Sequence, residues 1–222
     1  KLTARRFLQV GLTLGSGSGL ESMHYLVENP WMVGEEGRKL SYEFLCKVEG
    51  CSSFDTNPLY AIAHESIYCS GPGAASGWSA QRIAGEFPQF DYKKTLQTPG
   101  QPVMLMGEHC FSWMFDGDYP KLASLKPSAE LVAQRKDWAP IYDTETLRSC
   151  RVPAAAAVYF DDMFVELDLS VATAALVGSG AGAVPMKIWV TNEYQHSGLR
   201  DDGYRIVDRL LGMAKGEVNL PS

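Results

Sequence analysis

The stretch Val152-Pro153-Ala154-Ala155-Ala156-Ala157-Val158-Tyr159-Phe160-Asp161-Asp162-Met163 is an apolar run of strand length that stops on two carboxylates. A second run, Ile188-Trp189-Val190-Thr191-Asn192-Glu193-Tyr194-Gln195-His196-Ser197-Gly198, stops in a polar loop that carries an imidazole. Neither run alternates polar with apolar residues, the pattern of parallel strands covered on both faces. Residues 169–177 between them read as helix. Residues 200–215 read as an amphipathic helix with Ile206, Val207, Leu210, Leu211 and Met213 on its buried side. Strand, helix, strand, helix is the alternation of an α/β protein with a parallel sheet. Two strands make only the edge of such a sheet, so its other strands are expected from elsewhere. Asp162 and His196 both fall beyond the carboxyl ends of these strands, where ligands sit in open α/β sheets.

Composition narrows the possibilities. The 222 residues suffice for one large domain or two small ones, and 45% hydrophobic with 21% charged is an ordinary globular balance. No apolar run approaches the ~20 residues of a membrane span, so no membrane role is expected. A net charge of −6, with Lys1, Arg5 and Arg6 as the one basic cluster, argues against a nucleic-acid partner. Those three cations read as a solvated helix face. Cys46, Cys51, Cys69, Cys110 and Cys150 are odd in number and contain no C-x-x-C pair. That spacing points to reduced thiols in an intracellular, cytoplasmic compartment, with an organelle as the alternative. The first residues, Leu2-Thr3-Ala4-Arg5-Arg6-Phe7, look like the start of an internal helix with no leader pattern, so further sequence is expected upstream.

Up to Pro99 the pattern is helical and interrupted. Thr3 is placed to cap a helix bearing Phe7, Val10, Leu12 and Leu14, which ends in Gly15-Ser16-Gly17-Ser18-Gly19. Further helices are predicted from Leu20 to the Asn29-Pro30 stop, over 41–48, over 59–67 and over 78–83, with no strand alternation among them. After Pro99 comes the short apolar run Val103-Met104-Leu105-Met106, and then a helix over 127–135 with Pro at its first turn. The predicted division is a mostly helical, substrate-binding cap over 1–135 and the last part of an α/β core over 136–222.

Carboxylate precedes imidazole by 196 − 162 = 34 positions. This is the second half of the order Ser, Asp or Glu, His found in α/β-hydrolase triads. The first half is missing: no Gly-x-Ser-x-Gly occurs in the sequence. Asp162 would fix the tautomer of His196 and stabilise its imidazolium. Asp161 is the alternative, or else the cap of the following helix. His64-Glu65-Ser66-Ile67-Tyr68 departs from the zinc motif H-E-x-x-H at Tyr68, and one His with one Glu does not make a zinc site. The runs Gly15-Ser16-Gly17-Ser18-Gly19 and Gly178-Ser179-Gly180-Ala181-Gly182 follow no predicted strand and read as flexible connections, not phosphate loops. Glu65 and Glu108 lie in apolar and aromatic surroundings, where an unpaired carboxylate is costly. Each is read as a buried ion-pair partner or as a site awaiting a cationic ligand.

Four stretches carry a family resemblance: Tyr60-Ala61-Ile62-Ala63-His64-Glu65-Ser66-Ile67-Tyr68; Gly107-Glu108 with Trp113-Met114-Phe115; residues 152–165; and residues 189–200. Together they resemble proline iminopeptidases, the prolyl aminopeptidases of the serine branch of the α/β-hydrolases. The resemblance implies release of N-terminal proline from peptides by a Ser-Asp-His triad, with no metal or other cofactor. It implies Asp162 as triad acid, His196 as triad base, and Glu65 and Glu108 as cap glutamates that hold the substrate's charged imino group. The family's His-Gly-Gly-Pro-Gly oxyanion loop and its serine elbow would lie upstream, which makes the missing N-terminal half of the core a partner of this chain. By itself the chain is then expected to be inactive. The loop over 178–185 resembles an insertion before the final strand. Two other readings share the fold: a non-catalytic protein that binds peptides or a partner through the cap, and an esterase or epoxide hydrolase.

Overall fold

The computed structural model describes residues 2–218, which form two compact units: one from residues 2–13 with Glu21–Ile141, the other from Leu14–Leu20 with residues 142–218. Among the described residues these carry helices and two small sheets of two strands each.

The first unit is mainly helical. Its α1 (Ala4–Leu8) is capped by Thr3, whose hydroxyl accepts from Arg6 N at 3.3 Å, and runs on as a tighter turn over Gln9–Gly15. After α2 (Gly19–Glu28) the chain makes a hairpin that the sequence did not signal. Strands β1 (Trp31–Gly34) and β2 (Gly37–Leu40) pair antiparallel, Trp31 opposite Leu40 and Gly34 opposite Gly37. Gly37 turns the corner at φ +100, in the region that favours glycine. Then come α3 (Tyr42–Gly50) with Ser41 as its cap, α4 (Ser53–Thr56), α5 (Pro58–Ala63) with Pro in its first turn, α6 (Ser79–Ala84), α7 (Tyr92–Thr95) and α8 (Lys126–Gln134). Phe54, Ala61, Cys110, Phe111, Met114, Phe115, Tyr119, Leu122 and Ala129 bury each other into a core. The apolar run at 103–106 is no strand; Met106 N donates instead to Leu8 O at 2.8 Å.

The basic cluster is solvated only in part: Arg5 is exposed, but Arg6 is not. Arg6 is buried, its Nη2 2.9 Å from Asp55 Oδ2, with each side chain 5% exposed. Its Nη1 donates to Asp118 O at 3.1 Å, and the guanidinium lies 4.7 Å from the centre of the Tyr119 ring. Asp55 Oδ1 accepts from Lys121 N at 3.3 Å, so both carboxylate oxygens are used. Arg5 pairs with Asp118 and lies over Trp113; Lys1 is outside the described residues. Burial pushes the Tyr119 phenol well above its ordinary pKa, so it stays neutral beside the pair. Arg6→Met in the full-length protein is expected to cost about 3–5 kcal/mol, because it strands a buried carboxylate. A denaturation midpoint unchanged by Arg6→Met would contradict this; adding Asp55→Leu should recover most of the loss.

The second unit begins with α9 (Thr144–Arg148), capped by Asp143, whose Oδ1 accepts from Glu145 N and Thr146 N. The order β3 (Ala155–Tyr159), α10 (Leu167–Leu176), β4 (Lys187–Thr191), α11 (Gly198–Lys215) follows the predicted alternation. The strands pair in parallel, Ala155 opposite Lys187 through Tyr159 opposite Thr191, with α10 as the crossover. Trp189, Ile206 and Met213 form the core. The buried side of α11 is narrower than predicted: Ile206 and Met213 are enclosed, but Val207 and Leu211 are 46% and 53% exposed. A kink at Asp202 breaks the helical period there. The glycine run at 178–182 is pinned, not free. A side chain on Gly178 would sit 1.8 Å from Val184 O, and Gly178 N donates to Leu147 O at 2.9 Å. No helix among the described residues is long and apolar enough to cross a membrane.

Candidate active site

Parallel pairing puts the carboxyl ends of β3 and β4 at one edge, and the chain turns sharply at both. After β3, Phe160 N donates to Thr191 O at 2.8 Å and Asp162 N to Tyr159 O at 3.3 Å, a tight turn that points the chain back. Asp162 is then fixed by its own neighbours. Its Oδ1 accepts from Phe164 N at 2.9 Å and from Val165 N at 3.1 Å, the local turn that Asp favours. Its Oδ2 lies 3.1 Å from His196 Nδ1. The Asp162 side chain is 5% exposed and that of His196 43%. Asp161 is exposed and does not cap α10; Glu166 does, accepting from Leu169 N at 2.6 Å.

The loop carrying His196 is held at several points. Glu193 N donates to Thr191 Oγ1 at 3.1 Å, and Tyr194 O–H donates to Asp202 Oδ2 at 2.7 Å. Arg205 bonds both Glu193 Oε2 and the Tyr194 hydroxyl. The hydrogen bond to Asp202 is the main reason the Tyr194 phenol titrates above its ordinary value. A side chain on Gly198 would lie 2.6 Å from the Tyr159 hydroxyl, so glycine lets α11 start against β3. A carboxylate oxygen can only accept, so Nδ1 of a neutral His196 carries the proton and Nε2 is the basic nitrogen. This arrangement accepts a proton at Nε2 and holds the resulting imidazolium against a buried carboxylate. Its contacts lie within one unit.

Glu65 and Glu108 are in the other unit, each half-buried. Glu65 is engaged by backbone: Oε2 accepts from Ser79 N at 3.0 Å and Oε1 from Ala80 N at 2.9 Å, at the start of α6. Trp78 just before that start is in the left-handed region at φ 57, a strained conformation for a large side chain that the glutamate helps to hold. His64 joins the two glutamates. It precedes Glu65, is buried beside Phe54 and Tyr60, and its Nε2 donates to Glu108 O at 3.0 Å. Burial lowers the His64 pKa, so the ring is neutral, and its buried Nδ1 has no hydrogen-bond partner. Among the described residues no cluster of three or more His, Cys, Asp or Glu could hold a metal.

No family model matches the chain. The chain is, however, 41% identical over 211 residues, 95% of its length, to a proline iminopeptidase of Aeromonas sobria. It is 28% identical over 98% of its length to a proline iminopeptidase of Aspergillus aculeatus. It is a relative of the proline iminopeptidases. At this coverage the similarity runs through both compact units. The chain spans about half the length of these curated relatives, 45% of one and 46% of the other.

The likeness to proline iminopeptidases was carried by short segments, and the sequence reading missed what surrounds Asp162 and His196. The Phe164 ring packs on the His196 ring, centres 4.7 Å apart. Ser197, next to the histidine, is buried, donates to Asp201 Oδ2 at 2.5 Å and accepts from Gly17 N at 2.9 Å. An aromatic two positions after the candidate acid was the visible signal for Phe164. Nothing local signalled Gly17, which lies 180 positions from Ser197.

Proposed function

We propose that the chain is the C-terminal portion of a serine aminopeptidase of the α/β-hydrolase fold that releases proline from the N-terminus of peptides. In this reading residues 136–222 hold the late strands and final helix of the core, and residues 1–135 form the helical cap that receives the substrate. The observation that carries the reading is the Asp162 carboxylate, with Oδ1 filled by two backbone N–H groups and Oδ2 on His196 Nδ1. An upstream serine would give its proton to His196 Nε2 as it attacks the scissile carbonyl. Asp162 would stabilise the imidazolium, which then protonates the leaving amine; water completes the cycle through the same histidine. The nucleophile and the oxyanion donors would come from the missing N-terminal half of the core. Five unpaired cysteines favour an intracellular, cytoplasmic setting.

Glu65 and Glu108 are assigned to the charged imino group of the substrate, a secondary ammonium suited to charge-assisted hydrogen bonds. Backbone N–H groups at the start of α6 hold the Glu65 carboxylate and His64 holds the Glu108 carbonyl, so both glutamates are fixed in position for that cation. In the full-length protein Glu108→Gln should lower kcat/KM for proline-4-nitroanilide by the worth of one charged hydrogen bond, about 1.5–3 kcal/mol or roughly 10- to 150-fold. Equal cleavage of N-acetylproline-4-nitroanilide and the free imino substrate would contradict the assignment.

A further inference from the structure

The turn at residues 14–20 lies in the same compact unit as Asp162 and His196, although the sequence places it far away. Gly15 is buried, and the Phe164 ring occupies the space a side chain would take there. A Cβ built on Gly15 would lie 1.8 Å from Phe164 Cε2 and 2.4 Å from Cζ. The φ of Gly15 is outside the left-handed range, so what the position demands is room, not a special backbone angle. Phe164 in turn touches both members of the pair: its ring backs the His196 imidazole, and its N–H holds Asp162 Oδ1. Two residues on, Gly17 N donates to Ser197 Oγ, which is bonded to Asp201 at the start of α11. The turn therefore bears on the histidine from two sides, through the ring behind it and through the residue that follows it.

We propose that Gly15 and Gly17 are positioning residues, and that the turn carrying them sets the orientation of His196 through Phe164 and Ser197. The proposal rests on the assignment of Asp162 and His196 as triad acid and base. Non-bonded carbons approach to about 3.5–4.0 Å, so a methyl on Gly15 forces the ring away by roughly 2 Å. Misplacing a reacting group by about 1 Å can cost on the order of 100-fold in rate. Such a loss falls on the chemical step, because neither glycine is in the unit that carries Glu65 and Glu108.

The test uses the full-length protein with proline-4-nitroanilide. Gly15→Ala should lower kcat roughly 10- to 100-fold with KM little changed. Phe164→Leu removes the ring atoms the methyl would meet most closely, Cε2 and Cζ. The double variant Gly15→Ala, Phe164→Leu should therefore recover kcat to the level of Phe164→Leu alone, with the melting temperature of each variant read beside it to separate a displaced ring from a loss of folded protein. His196→Ala is the reference. If it keeps activity, the catalytic reading itself fails. If it is inactive while Gly15→Ala has normal kcat, the positioning proposal alone fails. A double variant no better than Gly15→Ala, or a loss seen in KM, also overturns it. If Gly15→Ala does not fold, Ser197→Ala decides: a fall in kcat of several-fold at constant KM supports the proposal, and unchanged kcat overturns it.

Discussion

Asp162→Asn in the full-length protein is expected to lower turnover on proline-4-nitroanilide by about 10³- to 10⁴-fold, while Asp161→Asn changes it by no more than about threefold. The contrast follows from how the two neighbours are held. Asp161 is exposed. Asp162 has one oxygen pinned by Phe164 N and Val165 N and the other on His196 Nδ1. An asparagine at 162 keeps its carbonyl oxygen on the two backbone donors, since an amide nitrogen cannot accept from them. Its NH₂ group then faces His196 Nδ1, which must become the acceptor. The ring proton moves to Nε2, and the nitrogen that should take the serine proton is already occupied. Geometry survives while chemistry is lost, so KM and the melting temperature should stay near those of the parent. Equal losses at 161 and 162 would sink the assignment of the acid.

The site was legible where a local pattern met a sharp boundary. Apolar runs ending at Asp161-Asp162 and in the loop to His196 gave β3, β4 and their parallel order, because strands covered on both faces show no alternation. The cap at Thr3 and the proline at the start of α8 placed helices for equally local reasons. The hairpin of β1 and β2 escaped because Trp31, Met32 and Val33 are all exposed, so no buried face printed a period of two. Its turn, Glu35-Glu36 between glycines, also lacks the usual hairpin residues. Arg6 escaped for a different reason. Its burial depends on Asp55, 49 positions away, and no local rule separates an arginine with a distant carboxylate from one in water. The glycine run at 15–19 was misread in the same way: composition suggested freedom, while packing against Phe164 and Ser197 imposes the opposite. Glu65 was noticed for its apolar surroundings, but the start of α6 that engages it lies 14 and 15 positions downstream.

The 222-residue chain, purified alone, is expected to show no proline release and to associate through its apolar surface. No serine elbow or oxyanion segment is among its residues, and removing an oxyanion donor alone costs on the order of 10²- to 10³-fold. The described residues pair β3 and β4 with each other and with no further strand, which leaves backbone donors and acceptors along both outer edges. Phe160 and Met163 beyond β3 and Val190 in β4 are 57%, 58% and 43% exposed. A two-stranded sheet of this kind is marginal in water without neighbours to cover it. In the proposed reading, upstream sequence supplied in trans completes the sheet and brings the nucleophile to His196. The decisive measurement is proline-4-nitroanilide hydrolysis by the chain alone, by the chain co-expressed with the upstream half, and by that pair carrying His196→Ala. The account predicts no turnover, serine-inhibitor-sensitive turnover and no turnover, in that order; serine-inhibitor-sensitive turnover by the chain alone, or activity in the pair that survives His196→Ala, would contradict it.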